Sequence, residues 1–170
     1  MNRRTTLAAI PASLLVASLA LSAGDVFAQS AKSLVGSWTI VSSDTTDAAG
    51  KKVALFGPNP RGSLIFTADG HYSLLIARAT LPKFAANARD KGTADENKAV
   101  VTGSISHFGK YAVDEKGKTF TFNVDSSTYP NWDGTAQKRP FTVSGNELKY
   151  TNPVASGGGG SVDLVWKRSK

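Results

Sequence analysis

Gly62-Ser63-Leu64-Ile65-Phe66-Thr67-Ala68-Asp69-Gly70-His71-Tyr72-Ser73-Leu74-Leu75-Ile76-Ala77-Arg78 is the stretch on which the fold turns. Leu64 and Phe66 sit two apart, as do Tyr72, Leu74 and Ile76, so each run places its large side chains on one face of an extended chain. Ala68-Asp69-Gly70 between them is turn chemistry. The stretch therefore predicts two strands, Gly62 to Thr67 and His71 to Arg78, paired as an antiparallel hairpin.

The pattern recurs outward from this hairpin. Upstream it covers Leu34 to Ser43. Downstream it covers Ser104 to Val113, Lys118 to Ser126, Gln137 to Val143, Glu147 to Thr151 and Ser161 to Arg168, with Asp114-Glu115-Lys116-Gly117 and Ser144-Gly145-Asn146 as tight connections. Eight short strands joined mostly by hairpins leave unpaired edges unless the sheet closes on itself. The expected fold is all-β: an eight-stranded antiparallel up-and-down barrel.

Two connections are longer than a hairpin requires. In Ala79 to Gly103, the spacing of Leu81, Phe84, Ala85 and Ala88 suits one helical face, and Ala94 to Val101 adds a further turn, so a short helical insert or lid is expected. Ser127 to Ala136 carries Tyr129-Pro130-Asn131-Trp132-Asp133-Gly134, a turn-forming run whose aromatic pair predicts a loop folded back over apolar surface. Gly157 to Gly160 is a flexible link; it lacks the Lys-Ser/Thr ending of a phosphate loop.

The N-terminus reads as a signal peptide. Asn2-Arg3-Arg4 forms a basic start, Leu7 to Leu21 is an apolar run too short for a stable membrane span, and Val26-Phe27-Ala28 precedes Gln29 as a small-residue cleavage site. Cleavage after Ala28 leaves residues 29–170 as a single domain, with a periplasmic or secreted address in a bacterium and no stable span. The arginine pair leaves the general and twin-arginine export routes both open.

Composition narrows the function. There is no cysteine, which excludes disulfide staples, thiolate metal sites and a cysteine nucleophile. The formal net charge of +7 is spread over single lysines and short pairs, without the basic block or aromatic-plus-basic stripe of a nucleic-acid reader. No cofactor motif is present, and the two histidines, His71 and His107, fall on different strands without the carboxylates that a metal site needs.

Alternation proposes an inner face of Trp38, Ile40, Leu64, Phe66, Tyr72, Leu74, Ile76, Ile105, Val113, Phe120, Phe122, Val124, Phe141, Val143, Leu148, Val162, Leu164 and Trp166. The same register carries Arg78, His107, Tyr111, Gln137, Arg139 and Tyr150 inward. A buried arginine or histidine needs a partner, since an unpaired ion in an apolar interior is costly. Either these groups pair with one another near the rim, or they converge on the head group of a ligand whose tail lies against the aromatics.

Leu34-Val35-Gly36-Ser37-Trp38, opening the first strand, is similar to the Gly-x-Trp element of lipocalin-type barrels. Gly62-Ser63-Leu64-Ile65-Phe66, Gly70-His71-Tyr72-Ser73, Phe108-Gly109-Lys110-Tyr111 and the series Pro130-Asn131-Trp132-x-Gly134-Thr135-x-Gln137-x-Arg139 extend the likeness over residues 33–168. The chain resembles the bacterial lipocalin-like domain proteins. That resemblance implies a barrel plugged at one end by Trp38, near Gly36 and Trp166, with a basic side chain stacked on the indole; Arg139, Lys167 and Arg168 are the choices.

The functional expectation is a non-catalytic binder of a small apolar or amphiphilic molecule. Phe66, Tyr72, Phe120 and Phe122, together with Trp38 and Trp166, would line the tail. Arg139 would hold the head group, assisted by Tyr111 and His107, with Arg78 on the same face. Two alternatives stand beside it: a protein-interaction or structural module whose barrel is full, suggested by the Tyr129 to Trp132 loop, and an isomerase or cyclase-type enzyme using one acid such as Tyr111 or His107. Oligomeric state is left open.

Overall fold

The computed structural model describes residues 31–47, 49–157 and 160–170. The expected signal segment and its cleavage site lie outside them. A single turn of helix, α1 (Ala31–Leu34), leads into nine strands: β1 (Gly36–Thr46), β2 (Lys52–Ala54), β3 (Arg61–Phe66), β4 (His71–Ala77), β5 (Ser104–Asp114), β6 (Thr119–Ser127), β7 (Ala136–Ser144), β8 (Glu147–Asn152) and β9 (Val162–Arg168). Every neighbouring pair is antiparallel, and β1 pairs with both β3 and β9, which closes eight strands into the expected barrel. The ninth, β2, is a three-residue addition to the far end of β1. It is exposed along its whole length, so it carries no alternation for the sequence to reveal.

The insert between β4 and β5 is only partly as expected. Ala94–Gly103 forms α2, started by a capping box in which Glu96 N–H donates to Thr93 Oγ1 and Thr93 N–H donates to the Glu96 carboxylate. Residues 81–88 are not helical, which corrects the expectation for Leu81, Phe84, Ala85 and Ala88. Pro82 lacks an N–H, Asn87 sits in the left-handed region at φ 45°, and Ala85 N–H donates to Glu96 rather than to a preceding carbonyl. Phe84 instead packs beside Gly92, where a Cβ would lie 2.5 Å from its ring.

The barrel has a sealed end and an open end. At the sealed end α1 lies across the base, with Leu34 fully buried and its carbonyl accepting from Trp38 Nε1 at 2.8 Å. Trp38, Phe66, Phe120, Leu148 and Trp166 fill this half at 1% exposure or less. Burial of side chains of this size contributes about 1.5–3 kcal/mol each. Phe66 meets Tyr111 and Phe120 edge-on at 4.8 and 5.6 Å, the geometry aromatic quadrupoles favour.

Candidate functional site

At the open end the inward alternation carries polar groups. β5 delivers His107, β7 delivers Arg139 and β8 delivers Tyr150, all buried. These three line a cavity of about 40 Å³ with Leu74, Ile76 and Phe122. Tyr72 stands just behind, its hydroxyl 2.8 Å from His107 Nδ1 and its ring against Phe122. Burial, aided by the nearby Arg139 charge, holds the imidazole down to about pKa 4, so His107 is neutral at pH 7 and its Nδ1 is free to accept from the phenol. Burial raises the phenols of Tyr72 and Tyr150, which remain protonated.

Arg139 is the charged member of this group. It is 6% exposed, and it donates to Gln137 Oε1 at 2.5 Å and to the Lys138 carbonyl at 3.1 Å. Burial lowers its pKa, with Tyr150 and Tyr72 acting the other way. Among the described residues no carboxylate lies within 4 Å of it. A guanidinium presents five donors and costs several kcal/mol to desolvate, so two neutral acceptors leave this cation largely uncompensated.

A further cavity residue was not visible in the alternation. β1 carries a bulge at Val41, between Ile40 and Ser42. The extra residue shifts the phase, so Ser43 faces inward where strict alternation would have chosen Ser42. Ser43 is 2% exposed, lines the cavity, and its Oγ has no hydrogen-bond partner. Phe56, Asn152 and Ala155 come from the connections at the open end and complete the wall; no strand periodicity marks them.

The aromatic loop folds inward as expected. Pro130–Trp132 forms one 3-10 turn, Trp132 stands edge-on to His107 at 5.6 Å, and its ring joins the cavity wall. Outside the cavity lies an open cleft of about 410 Å³ between Arg78, Val101, Thr102 and Tyr129. Leu55, Phe56, Ile105 and Ser156 wall both spaces.

The residues expected to bind together are thus divided. Arg139, His107 and Phe122 meet at the cavity, with Tyr72 directly behind. Tyr111 is elsewhere: its ring packs on Phe66 and its hydroxyl donates to the Thr67 carbonyl at 2.9 Å, toward the sealed end. Arg78 lies past the end of β4 and is exposed at the rim of the cleft, not inward. Phe66 and Phe120, like Trp38 and Trp166, are packed core away from the cavity. The cation on Trp38 is Arg168, its Cζ 4.1 Å from the ring centroid, leaving Arg139 free of that structural task.

Gly36 permits that arrangement, since a Cβ there would lie 2.7 Å from Arg168 Nη1. A lipocalin-like domain model matches residues 35–169, spanning Gly36, Trp38 and Arg168. The chain belongs to the lipocalin-like domain family. Two crystal structures of single-residue variants of the fluorescent protein UnaG are similar to this lipocalin-like barrel. One is 13% identical, with 83% of this chain and 99% of that chain covered at a TM-score of 0.39. The other is 12% identical, with 82% and 99% covered at a TM-score of 0.37. No curated protein matches the chain. Among the described residues no group of three or more His, Asp or Glu is placed to hold a metal ion, and no helix is long and apolar enough to cross a membrane.

Proposed function

We propose that this lipocalin-like protein is an exported, non-catalytic binder of a small amphiphilic molecule, and that Arg139 holds the ligand's anionic group. The observation that carries the reading is a buried guanidinium on a cavity wall with no carboxylate beside it among the described residues. Such a charge is stabilised by an anion that supplies charge-assisted hydrogen bonds. The unpartnered Ser43 Oγ on the same cavity offers that anion one more donor. Native mass spectrometry of the chain purified from producing cells, set against its denatured mass, tests this. An adduct of a few hundred daltons that Arg139→Leu abolishes supports it; a bare chain that takes up no alkanoate overturns it.

A second reading, an interaction module, draws on the outer sheet face. Ile65, Leu75 and Phe108 are exposed on β3, β4 and β5. In register they alternate with Ser63, Ser73 and Ser106, without a charged side chain between them. Sedimentation velocity distinguishes it: a concentration-dependent complex lost in Phe108→Ser would favour this face.

A further inference from the structure

We infer that the ligand enters head first, with its single negative charge in the cavity at Arg139 and its apolar tail in the outer cleft against Phe56, Val101 and Tyr129. The inference rests on the reading above and adds the orientation, the tail site and the ligand class.

Volume decides the orientation. The inner cavity, about 40 Å³, is about a tenth of the outer cleft. The smaller space suits the compact head group and the larger one the tail. The aromatic half below offers no alternative, because Trp38, Phe66, Phe120 and Trp166 are packed at 1% exposure or less and none of them borders the cavity. The outer cleft, about 410 Å³, falls in the range of small-molecule sites, roughly 300–1,000 Å³. Leu55, Phe56, Ile105 and Ser156 wall both spaces, so the two adjoin and a molecule anchored in one is placed beside the other.

Chemistry agrees with volume. The inner space presents Arg139, His107, Ser43 and Asn152, whereas the cleft adds Val101 and Tyr129, with Arg78 exposed at its rim and Thr102 and Thr128 beside them. Among the described residues Val101, on α2, is the most exposed of the large apolar side chains, at 73%. A tail lying in the cleft would cover it. The inner site holds one positive charge, Arg139, because burial keeps His107, 2.8 Å from the Tyr72 hydroxyl, neutral. It is therefore matched to a monoanion such as a carboxylate and not to a dianionic phosphate monoester.

The test is a chain-length series. Butanoate, hexanoate, octanoate and decanoate are titrated against the purified chain and the variants Arg139→Leu and Val101→Asp; Val101 is on the surface, so the second variant keeps the fold. Each methylene buried in the cleft should strengthen binding by about fourfold, from ~0.8 kcal/mol per CH₂. Arg139→Leu should weaken every acid by a similar factor, and Val101→Asp should flatten the dependence on length. Decyl phosphate should bind at least tenfold more weakly than decanoate, and an acid with pyrene at its tail end should still bind, because that end faces solvent. A length dependence unchanged in Val101→Asp, with the pyrene acid excluded, would overturn head-first entry and leave the Arg139 reading intact. Equal affinity for the phosphate would overturn the monoanion class. If no acid of any length binds, the reading of Arg139 falls and the orientation with it.

Discussion

The Arg168 guanidinium covers the face of Trp38 while its two terminal nitrogens donate, at 2.8 Å each, to the carbonyls of Val35 and Ser33. One side chain thus joins the last strand, the first strand and the helix across the base. The cation–π contact contributes about 0.5–2 kcal/mol and each hydrogen bond to a charged donor about 1.5–3 kcal/mol. Arg168→Ala is expected to lower stability by about 2–4 kcal/mol, read from urea unfolding. Gly36→Ala, at φ 127° and with its new methyl against the same guanidinium, should cost a comparable amount. Because both changes disrupt one contact, the double variant should lose less than the two single losses combined.

How far this could be read in advance depends on which physical signal each feature leaves. The eight barrel strands were legible because most inward residues are apolar and every second residue faces solvent, as in the buried-exposed alternation of β4 and β8. Arg139 and His107 were legible for the same reason, as polar residues in inward register. Ser43 was not, because the bulge at Val41 leaves no mark in composition and reverses the phase after it. Arg78 is exposed at the cleft rim and not inward because the chain leaves β4 after Ala77 and the alternation stops applying there. Tyr111 obeyed the register but not the site: register assigns a face, and height along the barrel decides which residues on that face can meet. Phe56 and Ala155 come from connections, whose course is set by tertiary packing.

The neutral His107 makes stability depend on pH in a defined window. Its folded pKa of about 4 lies below the ordinary value of 6.5, so between these values the unfolded chain binds a proton that the folded chain does not. Stability contributed by this residue should be complete above pH 6.5, fall as pH drops through the window, and level off below about 4. The full amplitude is on the order of 3 kcal/mol. His107→Asn keeps an acceptor for Tyr72 and removes the titration. Midpoints in urea measured from pH 7.5 to 4 should converge less steeply toward acid for this variant than for the parent; parallel curves would mean that His107 protonates freely in the fold.

Gly109 is a second place where a methyl group should be felt. It lies on β5 beside the shift in pairing with β6, at φ 156°, and a Cβ there would sit 2.1 Å from the Asn123 carbonyl oxygen and 2.8 Å from Asp125 N. Both obstacles are backbone, which cannot swing aside. Gly109→Ala is expected to cost about 2–4 kcal/mol. It should also disturb His107 two residues earlier, so the intensity or position of Trp132 fluorescence should change even where the variant remains folded.

Arg139 separates function from stability most sharply. Replacing a buried cation that lacks a carboxylate partner by an apolar side chain of similar length removes a desolvation cost that its two neutral acceptors only partly offset. Gln137, partly exposed and already donating to Thr135 Oγ1, can turn its freed carbonyl to water. Arg139→Met is therefore expected to leave the ligand-free chain as stable as the parent or more so. The same change should weaken decanoate by about 1.5–3 kcal/mol, the scale of a charge-assisted hydrogen bond. Unfolding in urea and a decanoate titration on the same samples decide the matter. A variant that loses stability and keeps its affinity would make Arg139 a structural tie to Gln137; one that gains stability and loses affinity would show that the charge is kept for the ligand.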